Sequence, residues 1–316
     1  MVDCEHGQPN TVDDWSTHMM YSSKDSMAAK SRGLVRKIAL AGCLLSASLT
    51  AYADLSDIKS KGTMTVATED DYAPFNYIVD GKPEGFHKEL LEDLKTYAKE
   101  QGFDVKQEIL PWTGLLAAVS SGQYDMAFTG ALVTDDRLRV FNFAPPFASA
   151  QHFFAKRKDD SSITDEMKSL CGKTVGLQAG SALLARLPEL KAMLEKEGCA
   201  TGDVVEYQSY PEAYADLANG RLDYVINALI SINDLVKTRG DTFAKGFAVS
   251  GDGFAAWPVP KKSPELLEFL TGFMNHVRDN GRLAELQTKW FGEAFPAMPK
   301  TPISSVEQFH ELAGMK

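Results

Sequence analysis

Arg137 stands in "TGALVTDDRLR" (residues 129–139), where an apolar stretch gives way to a hydroxyl, two carboxylates and a guanidinium. Thr134 suits the N-cap of a helix, and Asp135 and Asp136 suit its first turn, where the peptide dipoles favour negative charge. A guanidinium on such a turn has two uses. It can pair with Asp135 or Asp136 at the surface. It can also bind a ligand carboxylate through two parallel charge-assisted hydrogen bonds, which a lysine cannot reproduce. The choice depends on where the turn sits in the fold. A second group of charges, Glu69, Asp70 and Asp71, follows the strand-like run "TMTVAT" (63–68). These acids can answer a cation or form a solvated turn. No Ser/His/Asp spacing, phosphate-binding glycine loop or Cys/His cluster accompanies them, so neither a cofactor nor a metal is expected.

The elements that must position these residues alternate in type. "TMTVAT" is followed by the helix-like "HKELLEDLKTYAKEQG" (87–102), then "DVKQEIL" (104–110), "TGLLAAVSSG" (113–122) and "YDMAFTG" (124–130). After position 150 the alternation restarts with "HFFAKR", "KTVGLQ", a helix from Ser181 to about Glu197, "VVEYQS", "PEAYADLANG" and "LDYVINA". This order predicts parallel sheets with helices on both faces. An internal echo supports two comparable halves: "LLAAVSSGQYDMAFTGAL" and "AYADLANGRLDYVINALI" superpose with Gly122 on Gly220 and Asp125 on Asp223. In each, an apolar helix ends at a glycine suited to a left-handed cap, and a buried strand follows an aspartate. Ligands of open α/β sheets bind beyond the carboxyl ends of strands. Thr129–Leu132 and Asn227–Ile230 are therefore expected to face one shared cleft.

Charge and processing signals narrow the class. Residues 1–53 hold five acids (Asp3, Glu5, Asp13, Asp14, Asp25) and five bases (Lys24, Lys30, Arg32, Arg36, Lys37), so the net charge of -10 belongs to residues 54–316. A surface this acidic argues against nucleic acid as a partner. "MAAKSRGLVRK" from Met27, the apolar "IALAGCLLSASLTA" and "AYA" (51–53) read as an export signal with its cleavage site, and residues 1–26 as an extension upstream of the true start. "LAGC" (40–43) has the form of a lipid-attachment site at Cys43. Only five residues separate it from Lys37, short of the ~7–15 of an apolar signal core, so cleavage after Ala53 is preferred. Export leaves Cys171 and Cys199 as an even pair in an oxidising compartment, read as a disulfide over the alternative of two buried thiols.

In one order the chain carries "TVATEDDYAPFNYIVDGKPEGFHKELLEDL", "PWTGLLAAVSSGQYDMAFTGALVTDDRLRVFNFAPPF", "LCGKTVGLQAGSA" and "ANGRLDYVINA". This combination resembles the periplasmic solute-binding proteins of ABC importers for polar amino acids. The resemblance implies a type II binding-protein fold: two α/β lobes, each a sheet flanked by helices, joined by two hinge crossovers near Ala148–Gln151 and Lys245–Gly251. Lobe 1 is expected over 54–148 plus 250–316 and lobe 2 over 149–249. A monomer, working with permease subunits in the inner membrane, is expected in the periplasm.

By the same resemblance, Arg137 grips the ligand's carboxylate and Tyr72 and Trp112 wall its aliphatic part. Gly180 and Ser181 present backbone N–H groups where a helix opens, and Gly130 offers its backbone near the amino group. Gln178 lines lobe 2, or is a strand-end amide. His87 faces the ligand, or is a helix-start histidine. Three positions depart from the family's pattern. Ala228 replaces the aspartate that holds the ligand's ammonium, Leu132 replaces a hydroxyl residue, and Ala182 replaces a threonine. A buried ammonium needs a counter-charge. Either the ligand lacks an α-amino group, or Glu69, Asp70 or Asp71 supplies the charge. The ligand is thus expected to carry a carboxylate but not to be held as a standard α-amino acid. Cyclohexadienyl dehydratases, secreted enzymes of the same fold, are the alternative. Leu184 occupies the position of their acid glutamate and cannot donate a proton.

Overall fold

The computed structural model describes residues 53–314; the upstream extension, the export signal up to its last residue, Ala53, and Cys43 lie outside the described residues. The strand Thr63–Glu69 forms the middle of a three-stranded parallel sheet, between Asp104–Leu110 and Met126–Ala127. Its residues from Val66 to Glu69 are all buried, as in a strand covered on both faces. Helix Phe86–Glu100 covers one face, with Phe86, Leu90, Leu91, Leu94 and Ala98 forming one apolar stripe. The helix starts at Gly85, whose φ is 112° and whose added Cβ would lie 2.6 Å from the Phe75 carbonyl oxygen. Only glycine allows that approach.

The second sheet has five strands, ordered Val204–Tyr207, Val175–Gln178, Tyr224–Ala228, His152–Arg157 and Phe243–Ala248. It corrects the expectation of parallel sheets. His152–Arg157 runs antiparallel to both of its neighbours, while Val175–Gln178 is parallel to the strands beside it. Tyr224–Ala228, helix Leu229–Arg239 and Phe243–Ala248 form a crossover unit whose two parallel strands leave a gap between them, and the incoming strand fills it.

The internal echo has a structural meaning. Gly122 and Gly220 both take positive φ, 80° and 76°. The Asp125 carboxylate accepts from Thr65 N at 2.7 Å, and Asp223 accepts from Thr174 N at 2.8 Å. Each aspartate therefore ties its turn to the start of the neighbouring parallel strand, once per sheet.

Two antiparallel segments connect the sheets: Ala148–Ser149 pairs with Phe254–Ala255, and Ala150 N donates to Gly253 O at 2.9 Å. The second connection starts later than the expected Lys245, because the strand to which Lys245 belongs runs on to Ala248. The chain then returns to the first sheet's side. Pro258–Pro260 pairs with Phe141–Phe143, and helix Pro264–Asp279 buries Leu266, Leu270, Phe273 and Met274. The expected helix from Ser181 to Glu197 is two helices, Ala182–Ala185 and Leu187–Lys196, meeting at Arg186. Pro188 explains the break, since it has no N–H and its ring clashes with the preceding turn. Cys171 and Cys199 form a disulfide with a Cα–Cα distance of 5.7 Å. Among the described residues, no helix is long and apolar enough to cross a membrane.

Candidate functional site

The carboxyl end of the first strand, the turn 130–132 and the turn 178–183 of the second sheet surround one narrow cavity. Its walls are mostly apolar, with a few polar groups converging on it, as in small-molecule sites. Arg137 lies in it. Thr134 caps the helix Asp135–Val140 by accepting from Arg137 N at 3.3 Å, which places Arg137 in its first turn. Nη1 donates to Leu132 O at 2.8 Å, Nη2 donates to Gly180 O at 3.3 Å, and the guanidinium carbon lies 5.0 Å from the centre of the Trp112 ring. The surface-pair reading of Arg137 is set aside by its neighbours' own partners. Asp136 pairs with Arg139 at 3.0 Å, and Asp135 faces His310 at 2.9 Å. Burial pushes the Arg137 pKa down to about 10, against the charge of Glu69, and leaves it cationic at neutral pH.

Glu69 shares the cavity. It is 3% exposed, and its Oε1 accepts from Thr129 Oγ1 at 2.5 Å. Burial pushes its pKa up to about 8, with the charges of Asp71 and Asp70 adding to the rise and the Thr129 bond and Arg137 opposing it. A carboxyl group here waits for a cation before it ionises fully. Asp71 instead borders an adjoining cavity with Tyr214, Asn227 and Asp234; burial, then the Asp70 charge, raises its pKa to about 6.

The other expected residues divide. Tyr72, Trp112, Gly130, Gln178 and Ser181 all line the cavity. Gln178 is buried and donates to Gln208 O at 3.2 Å, so it is both strand-end amide and wall. Ser181 caps its short helix by accepting from Leu184 N at 3.2 Å. Gly180, at φ 67°, contributes the carbonyl that receives Arg137. Trp112 stands directly before a backbone turn at Thr113 and Gly114, whose angles are not helical.

His87 is a correction. It is buried among Phe75, Phe86, Phe128 and Phe147, and its Nε2 accepts from Trp257 Nε1 at 2.9 Å, outside the cavity wall. Burial holds its pKa down to about 3. The cause is the turn at Gly85, which directs the first turn of the helix into the aromatic core. Of Asn227–Ile230, Asn227 lines the adjoining cavity together with Asp71 and Tyr72 from the first sheet's side, and none of the four lines the Arg137 cavity.

Tyr210 was not anticipated. It lines the cavity and stacks on Tyr72 across it, with centroids 6.0 Å apart and planes 20° apart. It begins helix Tyr210–Ala218, just past the carboxyl end of strand Val204–Tyr207. The strand-end rule that located the other walls points there as well. Ala228 is fully buried and lies outside this wall, and Leu184 packs against the apolar core.

Two α/β layers with an arginine and a glutamate facing one cavity between them define a solute-binding protein of the two-lobed kind. The chain belongs to the bacterial extracellular solute-binding proteins, family 3, whose pattern matches residues 64–293. The L-cystine-binding protein TcyJ of Escherichia coli (strain K12) is 28% identical over 256 residues, 78% of this chain and 90% of that protein. The arginine-binding extracellular protein ArtP of Bacillus subtilis (strain 168) is 27% identical over 73% of this chain and 87% of its own. Among solved structures, the amino acid ABC transporter substrate-binding protein AbpA of Streptococcus pneumoniae, bound to L-arginine, has a TM-score of 0.64. It is 28% identical and covers 75% of this chain and 98% of that one.

Proposed function

We propose that the protein captures a small amino acid, or a closely similar amine-bearing organic acid, and delivers it to the permease of an ABC importer. The observation that carries this reading is that a guanidinium and a nearly fully buried carboxyl group, Arg137 and Glu69, face the same cavity. A ligand with one anionic and one cationic end answers both. Its carboxylate lies on Arg137, close to the backbone of Gly180 and Ser181, and its amine faces Glu69 and the backbone of Gly130. Tyr72, Tyr210 and Trp112 enclose the apolar part. Glu69 thereby takes over the counter-charge that Ala228 cannot supply, and the ammonium is held from lobe 1 instead of lobe 2. Relatives named for L-cystine and arginine support an amino-acid ligand.

Lobes over 54–148 plus 250–316 and 149–249 close on the ligand. The chain reaches the periplasm through the signal 27–53 and acts there as a monomer, without turning over what it binds. Leu184, at the position where the dehydratases carry their acid, packs against the core and has no proton to give. A thermal-shift screen of amino acids against the matching hydroxy and keto acids tests the reading. Amino acids are expected to stabilise the wild type and to lose that effect in both Arg137→Ala and Glu69→Gln. Stabilisation by a hydroxy acid equal to that by its amino counterpart would remove Glu69 from the site.

A further inference from the structure

Arg186 lies at the break between the two short lobe 2 helices and makes more polar contacts than a surface arginine needs. Its side chain is 8% exposed. Nε and Nη2 donate to the two Glu189 oxygens at 2.5 and 2.9 Å, and Nη2 also donates to the carbonyls of Gly251 and Asp252, both at 3.1 Å. Glu189 in turn accepts from Gly251 N at 2.9 Å. The guanidinium also packs on Gly253, where an added Cβ would lie 2.6 Å from Nη1 and 3.3 Å from Ala150 O. It therefore rests against the second connecting segment, 251–253, which itself pairs with the first through Ala150 N and Gly253 O. Those segments are themselves joined: His152 N donates to Ser250 Oγ, which donates to Gly251 O.

The other end of the same helical turn is the ligand wall. Ala182 and Leu183 line the cavity, and Arg186 N donates back to Ala182 O at 2.9 Å. We infer that Arg186 and Glu189 are a positioning pair: they tie the turn 180–183 to the crossover 250–253 and so favour the closed arrangement of the lobes. Neither residue lines the ligand cavity. They set where Gly180 and Ser181 stand relative to Arg137. In this structure the cleft is drawn together, with Gly180 O receiving Arg137 and Thr113 Oγ1 donating to Gln208 Oε1 at 2.9 Å. A wall turn freed from the crossover meets lobe 1 less often. The inference rests on the two-lobe closure proposed above.

Spin labels on the mature chain at Ala117→Cys and Glu206→Cys flank the Thr113–Gln208 contact, and pulsed-dipolar distances between them report closure without any need to know the ligand. In Arg186→Lys, which keeps the charge but cannot make the forked bonds, the ratio of short to long distances is expected to fall at least threefold. The same fall is expected in Glu189→Gln, a milder change at a partly exposed side chain that guards against misfolding of the first variant. Far-UV circular dichroism should match the parent, since the pair acts within the folded protein. A parent-like ratio in both variants would overturn the positioning role. A single fixed distance in the parent, unchanged by a millimolar mixture of amino acids, would overturn the two-lobe closure itself.

Discussion

If Glu69 receives the ligand's ammonium, binding must expel a proton, and affinity must depend on pH in a defined direction. The free protein holds this carboxyl at a pKa of about 8, chiefly through burial. Below that pH the group is mostly neutral, and the ligand's cation must drive its ionisation; above it the carboxylate is already formed. Affinity is therefore lost as pH falls through 8. Treating the bound carboxylate as fully ionised, linkage gives an apparent Kd about 50-fold weaker at pH 6 than at pH 8, or about 2 kcal/mol. At pH 7 about 0.9 proton should leave per ligand bound. Titration calorimetry with the best amino acid from the screen measures both quantities, using buffers of different ionisation enthalpy to count the protons. Glu69→Gln should flatten the dependence and weaken binding most at pH 8. A wild-type Kd constant from pH 6 to 8, with no proton released, would refute the assignment of Glu69.

The same shift has a consequence for the free protein. A carboxyl raised from 4.5 to about 8 contributes stability that is complete below 4.5 and is lost as pH rises through 8. Glu69→Gln should therefore stabilise the unliganded protein by on the order of 4 kcal/mol at pH 8 and by under about 1 kcal/mol at pH 5, read from denaturant midpoints. Arg137→Ala should weaken amino-acid binding by about 2–5 kcal/mol in calorimetry, and Arg137→Lys should recover little of it. Wild-type affinity in Arg137→Ala would dismiss the clamp. Replacing both Cys171 and Cys199 by serine reopens a loop whose ends are 28 residues apart, and should lower unfolding free energy by roughly 3–4 kcal/mol in the chain-entropy model. Two free thiols in the unreduced, denatured wild type would show that the bridge does not form.

What could be read from the sequence depended on how locally each feature is determined. Thr134 capping the Arg137 turn needs four residues, as do the Gly–Asp turns at 122–125 and 220–223; such patterns carry their geometry with them. Arg137's place on the turn could be read from the sequence, but its direction and its partners could not. Leu132 O is five residues away, while Gly180 O is 43 away. His87 shows the limit most clearly. Its place at a helix start is local information, yet its burial is decided by Trp257, 170 residues along the chain, and by the backbone approach at Gly85. The direction of His152–Arg157 has the same character, because it depends on the gap left by a crossover unit some 70 residues later. The loss of the usual acid at Ala228 was visible, and it posed the question of the missing counter-charge. Choosing among Glu69, Asp70 and Asp71 required knowing which one turns inward. Strand alternation leaves that choice open where a strand is buried on both faces. The bond from Thr129, on the neighbouring chain segment, fixes Glu69 toward Arg137, while Asp71 turns to the adjoining cavity. The site's charge pattern is thus a property of two strand ends meeting, and one strand's residues are insufficient to specify it.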